Sequence, residues 1–416
     1  MANYNTATLS DGLRVIHLPS PSPVVYCGIG IGAGSRQEMA GEEGLAHFCE
    51  HVSFKGTRRR SAFQILNCLE RVGGDLNAFT NKEDTVFYAA VQKEHFLKAA
   101  DLLTDIVFCS EYPEQEIRHE VDVICDEIES YNDSPAELIY DEFENLLFQG
   151  HPLGHNILGT PERVQSFTSA DARRFTYRYY RPGNAILFAY GDVNFNRLIR
   201  YLEVRSDQLG VRGVTGGNQG SNNSLPSRLS PLTSSPSPFT SKDNHHQAHV
   251  MLGQRAYSHN DERRLPLYLL NNMLGGPGMN ARLNLSLRER HGLVYTVEST
   301  MASYSDTGAW CVYFGCDHHD VKCCLRLVNR ELDRFMQHPL SDRQLTAAKR
   351  QLKGQLAIAS DNREQFALDI ARNFLYDGRE RNIDTLLQQI DAITAQQLQD
   401  VAQNLFDPNR LKQLIL

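Results

Sequence analysis

The chain has 416 residues, 41% of them hydrophobic, 9% aromatic and 22% charged, with 42 Lys plus Arg against 50 Asp plus Glu and a formal charge of -8. This length calls for more than one domain, and the balance excludes a disordered chain. The acidic sign argues against a dedicated nucleic-acid binder and for cationic partners.

Nine cysteines, an odd number with no C-x-x-C pair, suit neither a disulfide framework nor a zinc ribbon, and fit reduced thiols in a cytoplasm. The N-terminus has no basic region followed by a long apolar one, and no stretch approaches 18 uninterrupted apolar residues. A cytoplasmic protein, neither exported nor membrane-spanning, is therefore expected.

Along the chain, Thr8 to Leu18 holds a Ser-Asp-Gly turn between apolar runs, and Val24 to Gly34 (VVYCGIGIGAG) alternates as a half-buried strand does. Gly44 to His51 reads GLAHFCEH on a short helical pattern, and Asp75 to Val91 predicts a hairpin turning at Asn81 to Asp84. A long amphipathic helix from Pro113 to Asn132 is followed by the polar break NDSP and a second helix stopped at Gly150. Ser206 to Asn244 is crowded with Gly, Ser, Asn and Pro, the composition of a flexible linker. It divides the chain into domains 1–205 and 245–416. Beyond it, Tyr295 to Gly315 predicts a second hairpin. Ser341 to Gly378 repeats the helix-break-helix pattern of Pro113 to Gly150 at a constant offset of 228 residues, with Ile117 over Leu345, Ile124 over Leu352 and Leu138 over Phe366. Two related halves are expected. The fold class is α+β, each domain a mainly antiparallel sheet backed by helices.

The chemistry concentrates in His47, Glu50 and His51, which spell H-x-x-E-H. Residues four apart share a helix face, so His47 and His51 can present two imidazoles to one metal ion while Glu50 reaches water beside it. Catalytic zinc takes a third protein ligand and keeps one position open. The helix after Pro113 offers Glu120 and Glu127, seven apart and on one face, whereas Asp122 and Glu129 point elsewhere.

These residues resemble those of the pitrilysin and mitochondrial processing peptidase family of inverted zincins, in particular its short bacterial members. In that family the third ligand follows the last motif histidine by about 76 residues, the place of Glu127 here. Glu120 falls where the family has a further catalytic glutamate that supports the metal site. The segments GGDLNAFT (Gly73 to Thr80) and YNDSP, and the stretch LGGPGMNARLNLSLRERHGLVYTV (Leu274 to Val297), carry the likeness through most of the chain. Arg288 and Tyr295, seven apart after the glycines 275, 276 and 278, match a family pair that contacts the substrate peptide. At the offset of 228, Ala348 and Gln355 stand against Glu120 and Glu127, and no H-x-x-E-H occurs after residue 245. The second domain is thus expected to be a metal-free copy that faces the first.

Each of these residues also has an ordinary structural reading. Glutamates on helices are commonly solvated, a Tyr at a strand start commonly packs, and Arg288 near a helix end can simply complement the dipole. The glycine-rich run lacks the GK[ST] ending of a phosphate cradle. His245, His246, His249, His318 and His319 have no matching carboxylate spacing and are expected in structural or solvated roles. Cys49, between the ligand positions, is expected to be a small apolar core residue.

The resemblance implies a zinc metalloendopeptidase with one zinc ion (Zn2+) per chain, held by His47, His51 and Glu127, with Glu50 as the base that activates water. It also implies a closed chamber for unstructured peptides, in which a peptide adds as a strand at Asn77, Ala78 and Phe79 and is held by Arg288 and Tyr295. Two copies forming a homodimer would complete the chamber, with a homologous partner subunit as the alternative. The alternative function is a non-catalytic scaffold or peptide-binding subunit. Basic peptides suit the acidic balance, and no nucleic-acid or membrane partner is expected.

Overall fold

In a computed structural model of the chain, residues 3–209 and 247–416 are described. The first half forms a sheet from β1 (Asn5–Thr8), β2 (Arg14–Pro19), β3 (Val24–Ile31), β4 (Asp75–Thr80), β5 (Thr85–Gln92) and β6 (Ala185–Gly191), in the order β1-β2-β6-β3-β5-β4. All neighbours are antiparallel except β2 and β6. The second half forms the wholly antiparallel sheet β10-β7-β9-β8 from β7 (Ala248–Ala256), β8 (Val294–Ser303), β9 (Gly308–Cys316) and β10 (Lys412–Ile415). The two expected hairpins are β4–β5, closing at Thr80 opposite Thr85, and β8–β9, closing at Ser303 opposite Gly308.

A helix over Phe195–Leu209 takes in the first four residues assigned to the linker. Residues 210–246 lie outside the described residues, and with them the rest of that linker and His245 and His246. All nine cysteines are free. Among the described residues no helix is long and apolar enough to cross a membrane.

Nearly every residue of β6 and all of β9 are buried, which requires cover on both faces of each sheet. One face of the first sheet packs on helices of its own half, with Val25, Cys27 and Ile29 in one cluster with Phe48, Leu102, Leu103 and Phe175. The other face, presenting Ile16, Val86, Ile186 and Phe188, is covered by the helix Arg363–Asp377 of the second half through Phe366, Ile370, Ala371 and Phe374. Reciprocally, the helix Pro135–Leu147 of the first half sets Ile139, Phe143 and Leu147 against Met251, Ala309, Cys311 and Tyr313 of the second sheet. These are the second helices of the two helix-break-helix repeats. Each half therefore covers the other, and each fully buried Phe in the exchange contributes about 1.5–3 kcal/mol. Polar contacts join the same seam: the Tyr304 hydroxyl donates to Glu144 Oε1 at 2.5 Å and the Tyr376 hydroxyl to Asp84 Oδ1 at 2.8 Å.

Candidate metal centre

The motif helix spans Leu45–Ser53. Its inner face, Leu45, Ala46, Phe48, Cys49 and Val52, is fully buried, and the Phe48 ring meets Phe167 at a centroid distance of 5.3 Å. Cys49 thus sits in the core, its thiol near Ala172 O. The helix begins at Gly44, whose φ of 95° lies in the left-handed region, and a Cβ there would come within 2.7 Å of Leu158 O. Only glycine meets both demands. The free amides of the first turn are met by the inaccessible side chain of Glu38, which accepts from Gly44 N at 3.0 Å and Ala46 N at 2.7 Å and also bonds His155 Nε2 at 2.8 Å. Burial raises the Glu38 pKa, while His155 and the two amides act in the opposite sense.

On the other face His47 and His51 lie edge to face with ring centroids 4.6 Å apart. His47 Nε2 is 3.8 Å from Glu127 Oε1, and His51 Nε2 is 3.4 Å from Glu127 Oε2. One ligand atom from each of these three residues lies within 4.8 Å of the other two. Glu127 comes from the helix Glu114–Asn132, seated by buried Ile117, Ile124 and Ile128. From the same helix, Glu120 Oε1 accepts from His51 Nδ1 at 2.9 Å, and its second oxygen pairs with Lys55 Nζ. This bond fixes the His51 ring with Nε2 toward Glu127. Glu50 is buried, and its Oε2 accepts from Thr80 Oγ1 at 2.6 Å.

The electrostatics separate the two imidazoles. Burial and the neighbouring His51 push the His47 pKa down to about 4, against the pull of Glu127. Burial also disfavours the His51 cation, but the bonds to Glu120 and Glu127 overcome this and raise its pKa to about 9. The Glu127 carboxyl is held below the usual range by the His51 bond. Glu120 is also lowered: burial opposes the charge, and the His51 and Lys55 contacts outweigh it. Burial raises Glu50, with the Thr80 bond opposing. Two imidazole nitrogens and a carboxylate oxygen converging from two helices, one imidazole oriented through its other nitrogen, make a donor set that fits a tetrahedral zinc ion with an open position.

Arg288 and Tyr295 lie elsewhere. Arg288 is exposed near the end of the π-helical segment Asn284–Glu289, and Tyr295, 77% exposed, sits at the bulge where β8 begins. Both line a cleft of about 550 Å³ with Gly275, Gly276, Gly278 and Gln355, a cleft formed by second-half residues alone. Asn77, Ala78 and Phe79 lie on β4, the terminal strand of its sheet, with the Arg372 guanidinium of the second half 5.3 Å from the Phe79 ring. His249 Nδ1 pairs with the Tyr313 hydroxyl at 2.9 Å, a structural role. His319, expected in a structural or solvated role, stands with Asp317 and Asp320 in the turn before the helix Val321–Gln337. With the His319 side chain 78% exposed, this group is a solvated loop. Glu38, Lys55 and Thr80 support the site from outside the H-x-x-E-H motif. Only Lys55, one helical turn beyond His51, carries a local signal.

The family model described as Insulinase (Peptidase family M16) matches residues 14–161, and the one described as Peptidase M16 inactive domain matches residues 166–352. An uncharacterized zinc protease of Bacillus subtilis is 30% identical over 400 residues, which cover 96% of this chain and 95% of the relative. The chain belongs to peptidase family M16. A second M16-like relative, an uncharacterized zinc protease of Streptomyces coelicolor, is 32% identical over 401 residues, covering 95% of this chain and 86% of its own. Among solved structures, a protease from Helicobacter pylori superposes with a TM-score of 0.86 at 22% identity over 100% of both chains. An M16 inactive domain from Pseudomonas fluorescens gives 0.84 at 19% identity over 99% of this chain and 97% of its own. Both share the two-sheet M16 fold.

Proposed function

We propose that this M16 chain is a zinc endopeptidase of unstructured peptides. One observation carries the reading: His47, His51 and Glu127 bring three ligand atoms within 4.8 Å of one another, while the buried Glu50 carboxylate stands on the same face of the motif helix. When bound, zinc supplies Lewis acidity that polarises a scissile carbonyl and makes nearby water easier to deprotonate. His47, His51 and Glu127 hold it, and Glu120 keeps the His51 ring in register. Glu50 takes the proton from water on the carboxylate oxygen that Thr80 does not use, and returns it to the leaving amine. Its raised proton affinity, caused by burial, suits both halves of that transfer.

The outer edge of β4 offers backbone groups at Asn77, Ala78 and Phe79 to an incoming extended peptide, which would bind with little sequence demand. Arg288 and Tyr295 contact the peptide from the second domain. One sequence carries both the metal residues and this pair, so two copies suffice to close a chamber. The acidic charge of -8 favours basic peptides. The second half works as a metal-free wall, because Ala348 and Gln355 stand where the first half has Glu120 and Glu127. The test is zinc content and cleavage of an unstructured basic peptide by the wild type and by Glu50→Gln. Zinc in both with cleavage by the wild type alone supports the reading. Equal cleavage by both, or a wild type without zinc and without chelator-sensitive activity, refutes it and leaves the scaffold alternative.

A further inference from the structure

We infer that Thr80 is a positioning residue for this reaction, its hydroxyl proton fixing the Glu50 carboxylate so that one oxygen is held and the other faces water. The inference rests on the reading of Glu50 as the base. Thr80 Oγ1 lies 2.6 Å from Glu50 Oε2, and both residues are buried. A hydroxyl has one proton to give. The neighbouring hydroxyl, Thr85 Oγ1, gives its own proton to Ala33 O at 2.9 Å and is left as an acceptor 3.5 Å from Thr80 Oγ1, so the Thr80 proton goes to the much nearer and charged Glu50 carboxylate. Among the described residues Glu50 accepts no other hydrogen bond, which leaves Oε1 for the reaction.

The hydroxyl is itself held in place. Thr80 ends β4 and is followed by the turn 81–84, which is fastened at several points. Within the first half, Ser35 N and Arg36 N donate to Asn81 O at 3.2 Å and Lys82 O at 2.7 Å. From the second half, Ser305 N and Oγ donate to Glu83 at 3.0 Å and 2.6 Å, and Tyr376 donates to Asp84. A proton acceptor supported through such a fastened neighbour is preorganised, and losing the support leaves a buried carboxylate free to rotate away from its working geometry.

The experiment compares Thr80→Val, which keeps the shape and removes the donor, with Thr80→Ser, which keeps the donor and removes the methyl. Steady-state cleavage of an unstructured basic peptide, zinc content and thermal unfolding are measured on the full chain. In Thr80→Val kcat should fall about 10- to 100-fold, with KM within about twofold and zinc content unchanged, and Thr80→Ser should recover kcat to within about threefold of the wild type. The inference is overturned if Thr80→Val keeps kcat within about threefold, if Thr80→Ser is as impaired as Thr80→Val, or if Thr80→Val loses zinc. Should Thr80→Val not fold, Thr80→Ala is read by the same criteria, and failure of both to fold assigns Thr80 a purely structural role. An inactive wild type, or a Glu50→Gln variant as active as the wild type, sinks the prior reading of Glu50 instead.

Discussion

Glu120 touches no metal-facing atom, yet it ties two hydrogen-bond donors to the centre: His51 Nδ1 at 2.9 Å through one oxygen and Lys55 through the other. Replacing it by Gln leaves a neutral acceptor for His51 and removes the charge. A hydrogen bond to a charged group contributes about 1.5–3 kcal/mol and a neutral one about 0.5–1.5 kcal/mol, so the His51 contact weakens by about 1–1.5 kcal/mol. Lys55 pairs with the other Glu120 oxygen rather than with a metal ligand, so its share is left out of the zinc affinity. A difference of about 1.4 kcal/mol is tenfold in an equilibrium constant. Zinc affinity should therefore fall about tenfold in Glu120→Gln. In Glu120→Ala, where the ring loses its partner altogether, it should fall by up to about 100-fold. Competition against a chromophoric chelator at fixed pH and ionic strength measures both, with circular dichroism to check the fold. An Ala variant that binds zinc within twofold of the wild type would show that the His51 ring is held by its surroundings alone.

Three other outcomes are expected. Phe143→Ala, at a position 1% exposed between the first half's helix and the second half's sheet, should destabilise the protein by about 3–5 kcal/mol in denaturant unfolding; a loss below about 1 kcal/mol would mean that the helix exchange contributes little to stability. In the metal-free protein, His51 has a folded pKa of about 9 against 6.5 when unexposed to its partners. Its contribution is fully present below pH 6.5 and is lost as pH rises toward 9. His47, held down to about 4, costs stability as pH falls from 6.5 toward 4. The melting temperature from these two groups should peak near neutral pH, with the alkaline fall abolished in His51→Asn, and an alkaline limb unchanged in that variant would remove His51 as its cause. Arg288→Ala should raise KM for a peptide by tenfold or more with zinc content unaltered, and an unchanged KM would release Arg288 from substrate contact.

Local features were readable from the chain. The ligand pair His47 and His51 is set by a four-residue helical spacing, the hairpin turn at Asn81 to Asp84 by its polar run, and the helix pairs by apolar periodicity. Non-local pairings were not. β6 inserts between β2 and β3, joining residues near 16 to residues near 187, and nothing in either strand announces its neighbour. An amphipathic helix shows that it has an apolar face, not which sheet will receive it, so the exchange of Pro135–Leu147 and Arg363–Asp377 was invisible. Glu38 and Thr80 escaped for the same reason: each acts on the motif helix from a separate segment, through a bond that only the folded chain creates. The helix from Phe195 carries on into the polar sequence assigned to the linker, up to Leu209, because helix periodicity is not interrupted at Ser206.

The exchanged helices also speak to ancestry. A single half standing alone would have an apolar helix without a sheet and a sheet with one bare face, and two such halves satisfy each other only by trading arms. A duplication origin would make the half-length form an intertwined pair, with the same two arms traded inside one polypeptide here.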